Sequence, residues 1–140
     1  MKKILAALLI TLLLFTVVLS ACSSSQVNVT LGKEFTLTAG KTAVFSDASL
    51  KIKFVEVTAD SRCPQGVQCI QAGQVDCLML IDYSDSESSL VFTQMGGGEA
   101  AVKNFNVYAI SFNVEPYPQA GKEIKPGDYK MVMTVKKSGQ

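Results

Sequence analysis

Apolar and polar residues alternate with a period of two along most of the chain after residue 33, a pattern typical of strands that bury one face. In the clearest case, Leu50, Ile52 and Phe54 alternate with Lys51 and Lys53. Strands are predicted at residues 35–37, 42–45, 50–58, 75–83, 90–93, 105–114 and 129–135. Segment 75–83 is the most apolar of these and is predicted to lie at the centre of a sheet.

Turn-forming residues separate these segments and indicate the fold class. Turns are predicted at residues 39–41, 46–49, 84–87 and 96–98, a loop at 59–74, and a longer connection at 115–127. That connection contains three prolines, which cannot donate to a strand ladder. Seven or eight short strands without a helical pattern predict an all-β chain with one β-sandwich over residues 33–140. An immunoglobulin-like topology is compatible with this spacing.

The N-terminus has the layout of a secretory signal. Lys2 and Lys3 form a basic start, and residues 4–19 are apolar apart from two threonines. This run is slightly shorter than the roughly 20 residues that a permanent transmembrane helix requires. Residues 19–22 read Leu-Ser-Ala-Cys, which resembles the lipobox at which the signal peptide of a bacterial lipoprotein is cleaved.

This resemblance implies that residues 1–21 are a signal peptide and that Cys22 becomes a lipidated first residue. Two or three acyl chains would anchor the protein stably to a membrane. The expected location is the extracytoplasmic cell envelope, with residues 22–32 as the lipidated cysteine and a polar tether. The competing interpretation is an uncleaved N-terminal anchor in which Cys22 has no role.

Composition narrows the chemistry that the chain can perform. Thirteen Lys and Arg stand against twelve Asp and Glu, and two lysines would leave with the signal peptide. The resulting net charge near −1 argues against nucleic-acid binding, which requires a clustered basic excess. The chain has no histidine, which excludes Ser-His-Asp and Cys-His catalysis and histidine-based metal sites. We therefore expect no catalytic residues, and neither a metal nor another cofactor.

The most distinctive segment runs from Asp60 to Gly73 and contains two cysteines. Pro64 restricts Cys63 to extended geometry, and Gly66 permits the positive φ needed to turn the chain back. In an oxidising compartment this spacing favours a disulfide between Cys63 and Cys69. Pairing of Cys63 with Cys77 would constrain the unfolded chain by a similar amount and remains open. With the first pairing, Cys77 is a free thiol on the apolar face of its strand.

This segment resembles a loop found in a group of small, uncharacterised bacterial lipoproteins. Residues 60–64 read Asp-Ser-Arg-Cys-Pro, a second cysteine follows, and the segment ends in Ala-Gly at residues 72–73. The similarity extends to Pro-Tyr-Pro at residues 116–118 and to the last strand. The chain departs from the group at Gln71, where tryptophan is expected, and at the additional Cys77. The resemblance implies the fold and the location, and it names no activity.

The same loop is the candidate binding surface, with Asp60, Arg62, Pro64, Gly66 and Gly73 as its candidate residues. A structural role for the two charged residues is favoured over a catalytic one. The aspartate would cap the turn, and the arginine would bind loop carbonyls or a carboxylate, that of Asp60 or of Asp76.

Two functions from different classes follow from these patterns. The first is a non-enzymatic, lipid-anchored envelope module that binds an envelope protein or a small ligand through the cysteine loop. The second is a thiol-dependent redox or soft-metal protein that uses Cys63, Cys69 and Cys77, helped by Met131 and Met133. Core packing is the favoured interpretation of those methionines, because they are two residues apart on one strand face.

Overall fold

Two β-sheets account for the fold of residues 25–139, which are the residues that the computed structural model describes. The predicted signal peptide, the lipobox-like residues 19–22 and the predicted lipidation site Cys22 lie outside the described residues. The five-stranded sheet contains, in spatial order, β1 (Gln26–Val29), β3 (Thr42–Phe45), β4 (Leu50–Asp60), β5 (Gln74–Tyr83) and β6 (Ser86–Met95). The four-stranded sheet contains β2 (Glu34–Thr38), β9 (Lys130–Lys137), β8 (Tyr108–Glu115) and β7 (Ala101–Phe105).

The all-β sandwich predicted from the alternation is confirmed, but the described residues form nine strands rather than seven or eight. The strand predicted at 105–114 corresponds to β8, while β7, which shares only Phe105 with it, was not predicted. A turn in which Asn106 has a φ of 49° separates the two strands. Asparagine is one of the few non-glycine residues that adopt this left-handed conformation readily. β6 is also longer than predicted, because Ser84 and Asp85 both have positive φ and form a two-residue hairpin turn before it.

Residues 26–29, which the sequence assigns to the tether, form β1 instead. β1 pairs in parallel with β3, with Gln26 beside Thr42 and Val29 beside Phe45. Val27 and Val29 alternate with Gln26 and Asn28, so this segment has the period-two pattern of a strand. The pattern covers only four residues, most of them exposed, and the sequence analysis did not separate it from the polar tether. The sandwich therefore begins before Lys33.

The strand order differs from the immunoglobulin arrangement that the sequence allows. β3, β4, β5 and β6 pair consecutively and antiparallel in one sheet, and β7, β8 and β9 do so in the other. In an immunoglobulin domain the chain instead passes repeatedly between the sheets through Greek-key connections.

The core lies between the two sheets and is made of the alternate residues that the sequence pattern predicts to face inward. Its members include Leu37, Leu50, Ile52, Phe54, Met79, Ile81, Phe92, Ile110, Phe112, Met131, Met133 and Val135. Phe92 of β6 packs on Phe112 of β8 with ring centroids 5.1 Å apart, which joins the sheets directly.

Three connections meet at one end of the sandwich, which we call the loop end. They are the β4–β5 connection (residues 61–73, the cysteine loop), the β6–β7 turn (96–100) and the β8–β9 connection (116–129). The β7–β8 turn, with Val107, lies at the opposite end beside the end of β9. Within residues 25–139 no helix is long and apolar enough to cross a membrane.

Candidate functional site

The base of the cysteine loop is organised by Arg62, whose side chain is only 1% exposed. Its Nε and Nη2 atoms donate to the two carboxylate oxygens of Asp60, at 2.9 and 2.6 Å. Nη1 donates to the carbonyl of Val114 at 2.8 Å, and Nη2 also donates to that of Pro116 at 3.0 Å. The guanidinium also lies over the ring of Tyr117, 5.1 Å from its centroid. One arginine of the cysteine loop, just after β4 of the five-stranded sheet, thus holds the end of the four-stranded sheet.

The carboxylate of Asp60 accepts hydrogen bonds from two further groups besides the guanidinium of Arg62. It accepts the backbone N–H of Arg62 at 3.2 Å, which is the turn cap that the sequence predicts, and the hydroxyl of Tyr129 at 3.1 Å. Burial favours the neutral form of Asp60, but the hydrogen bonds and charge of Arg62, with the Tyr129 bond, outweigh burial and lower its pKa. Burial and the neighbouring Asp60 raise the pKa of Tyr129 to about 12, so this hydroxyl keeps its proton.

These contacts support the structural role predicted for Asp60 and Arg62, with one correction. Arg62 binds the carboxylate of Asp60, one of the two that the sequence predicts. The correction concerns the carbonyls that it binds, which belong to β8 and the β8–β9 connection rather than to its own loop. The sequence does not reveal these partners, because Val114 and Pro116 are more than fifty residues away along the chain.

The predicted disulfide between Cys63 and Cys69 is present, with Cα atoms 5.9 Å apart. Pro64 and Gly66 lie inside the closed ring, where the carbonyl of Pro64 accepts the backbone N–H of Val67 at 3.2 Å. Gly66 has a φ of 86°, as the turn was predicted to require. Since Cys69 pairs with Cys63, the alternative pairing of Cys63 with Cys77 is wrong.

The loop is held on both sides by backbone hydrogen bonds. Toward β5, the N–H of Cys63 donates to the carbonyl of Ala72 at 2.9 Å. Toward the β8–β9 connection, the N–H of Gln65 donates to Pro118 at 2.9 Å. Glycine is required at position 73, directly before β5, for two reasons. A Cβ there would overlap the carbonyl of Ser61, and the φ of Gly73 is 69°, which favours glycine.

An open groove of about 540 Å³ runs between the disulfide ring and its neighbours. Its walls are residues 63–69 with Gln71 and Ala72 on one side, and Gly97, Gly98 and Tyr117 on the other. The Tyr117 hydroxyl accepts the N–H of Gly97 at 3.2 Å, so this wall of the groove joins the β8–β9 connection to the β6–β7 turn. Among the described residues, no Asp, Glu, Lys or Arg side chain lines this groove, so it offers shape, amide groups and the Tyr117 ring and hydroxyl rather than a charged group.

The tip of the loop exposes apolar side chains and carries no charge. Ile70 is fully exposed, Val67 is 49% exposed, and Met95 at the adjoining end of β6 is 62% exposed. Residues 63–75 contain no Asp, Glu, Lys or Arg. We call Val67, Ile70 and Met95 the apolar tip. The sequence analysis did not single out these residues, although the uncharged run between Arg62 and Asp76 could have indicated them.

Cys77 lies away from this surface, fully buried in the inner face of β5. Burial raises the pKa of its thiol to about 12. Met131 and Met133 are also fully buried in the core, as the favoured interpretation predicts. Among residues 25–139, no group of three or more His, Cys, Asp or Glu side chains is arranged to hold a metal ion.

Comparison of the chain with protein-family models, with curated proteins and with solved structures finds no match. The interpretation of the site therefore depends on its own geometry.

Replacement of Asp60 by asparagine is expected to destabilise the protein by about 3–5 kcal/mol at neutral pH, because the buried guanidinium of Arg62 loses its counter-ion. The ionised carboxylate stabilises the fold above pH 3.8, its ordinary pKa. Because folding lowers that pKa, this contribution disappears as the pH falls through the lower value. Urea unfolding at a series of pH values should show the difference between wild type and Asp60→Asn shrinking in acid.

A matched substitution of an exposed turn residue, Asp85→Asn, should cost far less than Asp60→Asn at neutral pH. A loss at Asp60 no larger than at Asp85, or one that stays constant down to about pH 2, would contradict the role given to the carboxylate.

Substitution of both Cys63 and Cys69 by serine is expected to lower the free energy of unfolding by about 2 kcal/mol, because the unfolded chain regains the freedom of the closed ring. Chemical denaturation of the purified protein measures this loss. A reductant should destabilise the wild type by a similar amount and leave the double variant unchanged. Equal sensitivity of both proteins to reductant would show that the ring contributes nothing.

Proposed function

We propose that the chain is a lipid-anchored protein of the cell envelope, held by lipid on Cys22, and that its sandwich is a non-enzymatic module whose contact surface is the cysteine loop. The signal for export and the lipobox-like residues 19–22 support the anchor. Only residues 23–25 separate Cys22 from β1, so the anchored domain would stay close to its membrane.

The exposed, cross-linked cysteine loop is the observation that carries the binding role. A disulfide, backbone hydrogen bonds on both sides and the buried Arg62 hold it in one conformation. A surface ordered before binding loses little conformational entropy when it forms a contact. The loop is also uncharged and apolar at its tip, features that favour an interface over solvent.

The thiol-dependent alternative is less well supported by the same geometry. Two of its three sulfur atoms are bonded to each other in the Cys63–Cys69 ring. The third, on Cys77, is buried with its pKa raised to about 12, whereas reactive cysteines are accessible and have lowered pKa values.

The intact mass of the protein, purified from membranes of its own host, tests the anchor. We expect a mass that corresponds to residues 22–140 carrying a diacylglyceryl group, less two protons for the disulfide. An additional acyl chain on the new N-terminus is compatible with the proposal. A mass that still includes residues 1–21 and no lipid would overturn it.

Titration of thiols tests the non-redox assignment. In the folded protein we expect no cysteine to react with a thiol reagent at neutral pH, because the Cys77 side chain is inaccessible and protonated. One thiol should react after denaturation, and two more after reduction. Rapid modification in the folded state, or protection of several thiols by a bound metal, would favour the alternative function.

A further inference from the structure

The pairing of β1 determines the direction in which the chain leaves the sheet toward Cys22. β1 is parallel to β3, and β3 is antiparallel to β4, with Thr42 beside Lys53. The carbonyl of Ser25 accepts the N–H of Thr42 at 2.8 Å, so residue 25 still follows the line of the strand. Traced back from Val29, the chain therefore runs toward the loop end, as β4 does.

The distance available to the tether limits how the domain can sit on a bilayer. Cys22 precedes Gln26 by four residues, which span at most about 14 Å. Gln26 is level with Lys53, which pairs with Leu80 of β5, and Asp60 pairs with Val75 of β5. Those two β5 residues are five apart, a rise of roughly 17 Å at 3.3 Å per residue, because two bulges take up the extra residues of β4. Because the tether is shorter than this rise, the lipid and the loop tip reach one plane only if the strands are inclined to the bilayer.

The surfaces near the tether differ in their suitability for contact with lipid. The outer face of the five-stranded sheet around Gln26 carries Lys51, Lys53 and Asp82, which are costly to place in hydrocarbon. At the loop end, the cysteine loop presents the apolar tip and no charged residue from 63 to 75, whereas the two neighbouring connections carry exposed charges of both signs, including Glu99, Lys122, Glu123 and Lys125. Transfer of the side chains of the apolar tip from water into the interface is favourable.

We propose that the partner of the cysteine loop is the bilayer to which the protein is anchored, with Val67 and Ile70 inserted among the lipid headgroups and the sandwich inclined on the membrane. This inference rests on the proposed lipid anchor and specifies what its contact surface binds. Since residues 63–75 provide no basic cluster, insertion requires no anionic lipid.

The chain contains no tryptophan, so one introduced indole reports the environment of a chosen position. The mature lipoprotein with Ile70→Trp is purified from membranes and reconstituted into phosphatidylcholine vesicles, with or without bromine on the acyl chains. Bromine quenches nearby indoles. An interfacial side chain lies roughly 5–10 Å into the headgroup and acyl boundary, so we expect about half of the emission to be lost in brominated vesicles.

Val107→Trp is the matched control, because Val107 is 52% exposed and lies in the turn at the opposite end of the sandwich. Its emission should be the same in both kinds of vesicle. A second tryptophan variant tests whether the native loop inserts or whether the indole introduced at position 70 causes the insertion. Val67→Trp should be quenched when Ile70 is unchanged and should lose this quenching when Ile70→Asp places a charge at the tip.

The outcomes separate this inference from the proposed function. Intact mass and flotation with vesicles first establish whether Cys22 carries lipid and holds the protein. A lipidated, floating protein with no quenching at position 70, or with equal quenching at positions 70 and 107, would overturn the membrane contact and leave the anchor standing. A concentration-dependent blue shift without quenching would assign the tip to a second copy instead. A protein without lipid would overturn the anchor and, with it, the inference.

Discussion

A guanidinium removed from water must have its charge and its N–H groups satisfied inside the protein, and at Arg62 this requirement shapes the loop end. Asp60 supplies the counter-charge through two hydrogen bonds, and the carbonyls of Val114 and Pro116 take the remaining direct bonds. These groups come from both sheets, so the arginine can be satisfied only when the sandwich is closed. The hydroxyl of Tyr129, the last residue before β9, donates to the same carboxylate and so belongs to this network.

The same network explains how an apolar loop can be presented to solvent without collapsing onto the core. Charge is concentrated below the loop, in the buried pair, while residues 63–75 above it carry none. The Cys63–Cys69 ring and the backbone bonds to Ala72 and Pro118 then hold the tip outward. A loop without these restraints would have to be ordered at the moment of contact, at a cost in conformational entropy. The proposed role as a contact surface depends on this prior order.

The direction of β1 relates the proposed lipid attachment at Cys22 to the proposed membrane contact of the cysteine loop. Because β1 pairs in parallel with β3, the chain at Ser25 points toward the loop end, where the apolar tip is exposed. In the arrangement that we propose, a lipid on Cys22 and the side chains of Val67 and Ile70 make two separate attachments to one bilayer. Two attachments would limit the rotation that a lipid on a flexible chain allows. The turn that contains Val107 would then face away from the membrane.

The sequence by itself determined the features that depend on local order along the chain. Period-two alternation identified the sandwich and its core, and cysteine spacing with Pro64 and Gly66 favoured the disulfide ring that the structure contains. The alternation of Val27 and Val29 was too short to distinguish β1 from the polar tether. The strand order could not be predicted, because register between distant segments leaves no local pattern. Only the tertiary structure brought Val114 and Pro116 to Arg62 and exposed Ile70 at the tip. A buried charge takes its partners from whichever segments the closed fold places within hydrogen-bond distance, and the exposure of a loop residue depends on what packs beside it.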